Sequence, residues 1–224
     1  MSAIFVTGTD TGVGKTVVTK TLIEYFINQG EKVAAMKPVA AGAVKTPDGL
    51  QNEDAVILQK TSNLTLSYSQ VNPLVFEPPI APHIAAKRNN TLIDIAVLDA
   101  AYDVLRSKSE RVIIEGAGGW QVPLTDSVTM ADWVCSHRWP VILVVGVRLG
   151  CINHATLTIQ NVLQKGNACA GWVANMLEPE SEYSHEVVES LVKSVSAPLL
   201  GTIPHLDNPE SVGLTQYIHP DISL

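Results

Sequence analysis

The chain has 224 residues and a formal net charge of -7, which allows one large α/β domain with a sizeable core but not two ordinary domains with a linker. With no run of lysines or arginines, it offers nothing to neutralise a nucleic acid or an anionic membrane, so a small-molecule or protein partner is expected. Cys135, Cys151 and Cys169 form no C-x-x-C pair, the start MSAIFVTGTD lacks a signal-peptide pattern, and VILVVGV from Val141 is too short to cross a bilayer, so reduced thiols and a cytoplasmic location are expected.

The first predicted element is an apolar run at 3–6, read as a strand buried on both faces. It leads into GTDTGVGKT, residues 8–16, and a helix predicted over 16–30, with apolar positions at Val17, Val18, Leu22, Tyr25 and Phe26 and a stop at Gly30. Strand, glycine-rich loop and helix in that order make a phosphate-binding loop, because successive backbone amides then point into a concavity at a helix N-terminus. Lys15 would reach the outer phosphates of a nucleoside triphosphate, and the Thr16 hydroxyl would hold Mg2+. The spacing is a variant of G-x-x-x-x-G-K-[ST], since Gly8 lies one residue early and Thr9 takes the first-glycine position. The competing reading is a chance glycine-rich turn with a solvated lysine. A dinucleotide loop would need G-x-G-x-x-G in register, which this stretch lacks.

The next strand, 32–36, ends at Lys37, and Pro38 turns the chain out of the sheet. Lys37 would face the same rim as Lys15, where two ammonium groups could share the charge of a transferring phosphoryl group; a solvated strand-end lysine is the equal alternative. In LQNEDAVILQ, Asp54 precedes an apolar helical run, and spacing alone favours a capping role for it. Residues 67–90 are proline-rich with no sustained period and read as a wall or lid beside a site.

A strand at 111–115 ends in Glu115 and runs into Gly116, Gly118 and Gly119. Ligands of a parallel sheet sit at the carboxyl ends of its strands, so Glu115 would emerge beside the phosphate loop and bind Mg2+ directly or through water, unless it merely terminates the strand. The run 141–145 leads through Gly150 to a helix expected near Asn153. Free amides at Cys151, Ile152 and Asn153 could receive a carboxylate there, or simply start a capped helix. Strands at 171–175 and 198–204 complete an alternation of strands and helices that indicates a parallel sheet. The six histidines have no metal-ligand spacing, so no zinc site is proposed; His83, in APHIA, is the one closest to the candidate wall.

The segments VTGTDTGVGKT, KPVAAG, EDAVILQ, VNPLVFEPPIAPH, EGAGGWQVPLTDSVTMADW, PVILVVGVRLGCINHA, GWVAN and LLGTIPHL resemble, in order and spacing, the dethiobiotin synthetase family. The resemblance implies a single P-loop α/β domain over 1–224, three-layered, with a mostly parallel sheet of about seven strands. It implies a homodimer, with the substrate site at the subunit interface, that converts 7,8-diaminononanoate, CO2 (or bicarbonate) and ATP, with Mg2+, to dethiobiotin in biotin synthesis. The route would pass through a carbamate and a phosphorylated carbamate.

By the same resemblance Lys15 and Lys37 are catalytic, and Thr16, Asp54 and Glu115 hold Mg2+. Gly12, Val13, Gly14, Lys15, Thr16 and Val17 would contact the nucleotide, with Gly116, Ala117 and Gly118. Asn175, Pro204, His205, Leu206 and Glu210 would lie on its base side. Thr11 and Ala41 would meet the diamine, and Gly150, Cys151, Ile152 and Asn153 its carboxylate. The chain departs from the family at Gly12, where many members carry a glutamate that contacts nucleotide, and at Ala41, where some carry a serine hydroxyl near the substrate.

Three rivals fit less well. A partition or septum-positioning ATPase typically has a second lysine early in the loop, and residues 9–13 contain none. An amidase-type ligase acting on corrinoids would need a further glutamine-handling domain. A non-enzymatic nucleotide-binding module would leave the placement of Lys37 and Glu115 unexplained.

Overall fold

A computed structural model describes residues 2–179, 182–207 and 213–220. In chain order it runs β1 (Ser2–Gly8), α1 (Lys15–Asn28), β2 (Val33–Met36), and the short strands β3 (Val39–Ala41), β4 (Val44–Thr46) and β5 (Gly49–Gln51). Then come α2 (Glu53–Thr61), α3 (Tyr68–Val71), β6 (Leu74–Phe76), α4 (Pro82–Arg88) and α5 (Ile95–Lys108). The second half is β7 (Arg111–Gly119), α6 (Met130–His137), β8 (Val141–Val147), α7 (Cys151–Gln164), β9 (Cys169–Met176), α8 (Glu182–Ser194) and β10 (Leu199–Ile203).

Among the described residues the main sheet has 6 strands in the order β10-β9-β8-β1-β7-β2, against about seven expected for the layered α/β class. Every neighbouring pair in it is parallel. From β1 the chain goes to the edge strand β2, returns to β7 beside β1, and then crosses to β8, β9 and β10 on the other side. Connections thus leave β1 in opposite directions, and a crevice opens at its carboxyl end. Two small sheets, β3 with β6 and β4 with β5, lie outside the main one.

A parallel strand covered by helices on both faces must be apolar at every position, and β8 is: all of VILVVGV is buried. Its side chains alternate between two cores. Ile142 and Val144 join the larger one, with Val18, Leu22 and Phe26 of α1 and Leu98, Tyr102 and Leu105 of α5. Leu143, Val145 and Val147 join the smaller, with Cys151, Ala155 and Ile159 of α7 and Trp172, Ala174 and Met176 of β9. Period 2 on the strand meets period 3.6 on the helices at both faces. Among the described residues no helix is long and apolar enough to cross a membrane.

Several boundaries differ from the sequence expectations, four of them near the candidate site. Helix α1 begins at Lys15 and ends at Asn28; Gly30 follows at φ +87, its N–H donating to the Ile27 carbonyl at 2.9 Å, so the stop is where glycine's left-handed freedom is used. Strand β7 does not end at Glu115 but continues through the glycines to Gly119, with a register shift that pairs Gly8 with Gly119. Residues 67–90 are not irregular throughout: they hold α3, β6 and α4, each too short to show a period. Helix α7 starts at Cys151, with Gly150 as its cap at φ +91, rather than near Asn153.

Candidate active site

The loop between β1 and α1 is pinned at both ends. The Thr9 amide donates to the Val144 carbonyl at 3.0 Å, and the Asn175 side-chain amide donates to the Val13 carbonyl at 3.0 Å. Gly14 caps α1 in the left-handed region at φ +85 with no side chain on the first-turn amides. A Cβ there would lie 2.1 Å from Asn175 Nδ2, so both dihedral and space require glycine. The amides of the first turn have no intrahelical acceptor, and they open toward the crevice.

Above them lies a cavity of about 840 Å³ at the carboxyl ends of β1, β2 and β7. The sequence candidates Thr11, Gly12, Gly14, Lys15, Thr16, Val17, Lys37, Ala41, Asp54, Glu115, Ala117 and Gly118 all line it. So do Pro79, Ile80, Ala81 and Pro82 of the proline-rich segment, which is therefore a wall of this cavity. A second hollow of about 210 Å³ shares Gly12, Gly14 and Val17 and is otherwise formed by Asn175, Pro204, His205, Leu206, Met176 and Leu177. The phosphate loop is the partition between the two.

Two buried ammonium groups face the larger cavity. Lys15 Nζ donates to the Asp10 carbonyl at 2.9 Å; burial, and then the charge of Lys37, pull its pKa down to about 8. Lys37 Nζ donates to Asp54 Oδ2 at 2.8 Å and to Glu115 Oε1. Burial alone would lower Lys37, but Glu115 and Asp54 outweigh it and hold its pKa above the ordinary lysine value. Burial likewise works to raise Asp54, and the Lys37 ammonium, with the Thr16 hydroxyl and the Lys15 charge, more than offsets it, so the carboxyl stays below its usual range. The Thr16 hydroxyl donates to Glu115 Oε1 at 3.1 Å, and Glu115 Oε2 is buried with no hydrogen-bond partner.

Asp54 is not the cap of α2. Asn52 takes that place, its side chain accepting from the Ala55 amide at 3.3 Å, which leaves Asp54 in the first turn free to pair with Lys37. The solvated reading of Lys37 is excluded by its 3% exposure, and Glu115, at 0%, does more than end a strand.

Not every candidate comes to the cavity. Val13 is buried beneath the loop. Gly116 lies against Phe5, whose Cζ would be 2.8 Å from a Cβ at that position. Gly150, Cys151, Ile152 and Asn153 line neither hollow, and the Cys151 amide is not free, since it donates to the Arg148 carbonyl at 3.1 Å. Glu210 lies outside the described residues. Sequence reasoning missed Asn52, Asp10 and Arg148. The latter two pair at 2.5 Å and tie the phosphate loop to the turn before α7. Only the QNED stretch carried a signal, an Asn in the N-cap position.

A family model described as an AAA domain matches residues 2–211. Among solved structures, a ParA family ATPase from Chlorobium tepidum TLS superposes with a TM-score of 0.57 at 13% identity, covering 97% of this chain and 91% of that one. At that identity the likeness is one of fold. The ATP-dependent dethiobiotin synthetase BioD 1 of Escherichia coli (strain K12) is 47% identical over 216 residues, 96% of either chain. The ATP-dependent dethiobiotin synthetase BioD of Aliivibrio salmonicida (strain LFI1238) is 42% identical over 99% of this chain and 97% of its own. Identity of this order over nearly the whole of each chain carries what fold alone does not, and the chain belongs to the family of ATP-dependent dethiobiotin synthetases.

Proposed function

We propose that this chain, acting as a single domain in a homodimer, joins CO2 to 7,8-diaminononanoate at the expense of ATP and closes the cyclic urea of dethiobiotin. The observation that carries the reading is the convergence of Lys15 and Lys37 on one cavity beside a phosphate loop, in a chain whose relatives carry this name.

The amine at carbon 7 adds to CO2 and loses a proton, giving a carbamate. A carbamate resists attack until one oxygen becomes a leaving group, so that oxygen takes the γ-phosphoryl group and ADP departs. The amine at carbon 8 then attacks the carbonyl carbon, phosphate leaves, and the ring closes. Negative charge collects on the phosphoryl oxygens throughout. Lys15 and Lys37, almost fully buried, would meet it by sharing the ammonium groups now held by the Asp10 carbonyl and by Asp54 and Glu115, in a site where cations are most effective. Ring closure joins two groups of one bound molecule, and alignment alone supplies about 7–11 kcal/mol relative to a bimolecular encounter. The apolar wall of Ala40, Ile80 and Val122 suits the alkyl chain that runs from carbon 7 toward the carboxylate.

Thr16, Asp54 and Glu115 fit Mg2+ as an all-oxygen set, and the unpartnered Glu115 Oε2 supports that fit. Among the described residues no group of three or more His, Cys, Asp or Glu side chains gathers for a metal, so such a site would draw on the Thr16 hydroxyl and the nucleotide's own oxygens. When bound, the ion supplies charge neutralisation on the triphosphate. Asn175, Pro204, His205 and Leu206 would receive the base. Gly150 to Asn153, which line neither hollow, would serve the substrate carboxylate of a partner subunit, and the exposed Leu149 and Ile152 support an interface there.

The test is release of phosphate and formation of dethiobiotin, followed by mass, with each component omitted in turn. Product should require diamine, bicarbonate and ATP together; phosphate release indifferent to the diamine would overturn the reading.

A further inference from the structure

Lys37 stands at a place where a backbone should be loose. It follows the last residue of β2, which is an edge strand, and the sheet pairing with β7 stops at Met36 and Ile114. Pro38 has no N–H to continue the ladder. The two backbone groups of Lys37 are buried and must be satisfied elsewhere. They are: its N–H donates to the Val71 carbonyl at 2.8 Å, and its carbonyl accepts from Asn72 Nδ2 at 2.7 Å. Asn72 is only 2% exposed. It gives its second N–H to the Leu74 carbonyl at 3.1 Å and receives the Tyr68 hydroxyl on Oδ1 at 2.7 Å. Two carbonyl acceptors and one hydroxyl donor fix which way its amide points.

The Tyr68 oxygen in turn accepts from the Asn52 backbone N–H at 2.8 Å. Asn52 caps α2 and reaches the Ala41 carbonyl at 3.3 Å. Helix α2 carries Asp54, which returns to Lys37 Nζ at 2.8 Å. The chain of contacts is closed: side chain of Lys37, Asp54, cap of α2, Tyr68, Asn72, carbonyl of Lys37.

We propose that Tyr68 and Asn72 are positioning residues for the phosphoryl-transfer step, a brace that replaces the missing sheet ladder and sets Lys37 against Asp54. Neither lines the cavity, so neither touches a ligand there; they act through the lysine. The inference rests on the activity proposed above.

The experiment compares the parent with Tyr68→Phe, which keeps the ring and deletes the hydroxyl, and with Asn72→Ala. Each is read by kcat and KM for ATP and for the diamine, by melting temperature, and by hydrogen exchange at the Lys37 amide. The brace predicts kcat lower by about 10- to 100-fold, as for a cation misplaced by a fraction of an ångström to an ångström, with both KM values within about twofold. It also predicts exchange at the Lys37 amide faster by about tenfold or more. Full kcat with unchanged exchange in a folded variant overturns it, as does a change confined to KM. Should Asn72→Ala fail to fold, Tyr68→Phe decides alone. A parent that forms no dethiobiotin would sink the proposed activity, and the exchange rates would still judge the brace.

Discussion

Lys37 neutralises two carboxylates in the protein alone and would meet a phosphoryl group in the proposed reaction, so its removal should separate binding from chemistry. Lys37→Ala is expected to keep nucleotide affinity, carried by the loop amides and Lys15, and to lose about 10²–10³ in kcat, measured by steady-state phosphate release alongside nucleotide titration. Near-parental turnover would remove it from the mechanism. Lys15 brings a pH dependence. With its pKa at about 8, the ammonium form that phosphates need is depleted as pH rises through that value, so nucleotide affinity should fall between about pH 7 and about pH 9.5, and binding above pH 8 should take up a proton. Calorimetry in buffers of different ionisation enthalpy reads both; a flat affinity would refute it. For stability the same depressed value works in the opposite sense: the group weakens the fold below about 8, where it must be charged while buried, and that cost is relieved as pH rises toward the unfolded 10.5. Lys15, Thr16 and Lys37 were legible because each stands just past a strand or at the start of a helix, where topology fixes direction, and Glu115 because it closes the apolar run of a strand that in fact continues beyond it. Asp54 was not, since a carboxylate and an asparagine two positions apart compete for one cap by spacing alone. Nor were Asp10 with Arg148, or Asn72 with Lys37, whose contacts span sequence distances no local pattern encodes.

At the scale of elements, α7 presents the clearest expectation. Gly150 caps it with a left-handed backbone and no side chain on its first turn, and with the Cys151 amide already taken, the donors left for a carboxylate are those of Ile152 and Asn153. A methyl ester of the diamine substrate should therefore bind more weakly, with KM raised about tenfold for a loss of about 1–2 kcal/mol at a helix terminus; an unchanged KM would remove this element from recognition. The six strands of the main sheet were readable in the apolar runs because burial on both faces leaves a continuous signature. Their ends were harder. The glycines after Glu115 read as loop, yet Gly116 against Phe5 lets β7 run on beside β1, a close approach that only the packed sheet reveals. Helices α3 and α4, of a turn or two, lie below the length at which a period of 3.6 can be seen, and the proline-rich composition that hid them belongs to their caps and connections.

For the whole molecule, the proposed carboxylate role of Gly150 to Asn153, which line neither hollow, would make assembly part of the site. Leu149, fully exposed in the single chain, should lie at the subunit interface, so Leu149→Asp is expected to yield monomers by sedimentation and to raise KM for the diamine by about tenfold or more while ATP binding persists; monomers with parental KM would place the whole site in one subunit. Sequence suggests such an interface only through family likeness, because an interface leaves no period in a chain read alone. A last consequence comes from β8, whose successive side chains are divided between the two cores. Neither layer can loosen without withdrawing half the side chains from one shared strand, so melting should be a single cooperative event. Trp172 reports on one layer and the edge-to-face pair Trp133 and Trp139 on the other. Comparing the parent with Trp172→Phe should show both signals vanishing at the same urea concentration, and two separated midpoints would mean that the strand is a partition rather than a spine.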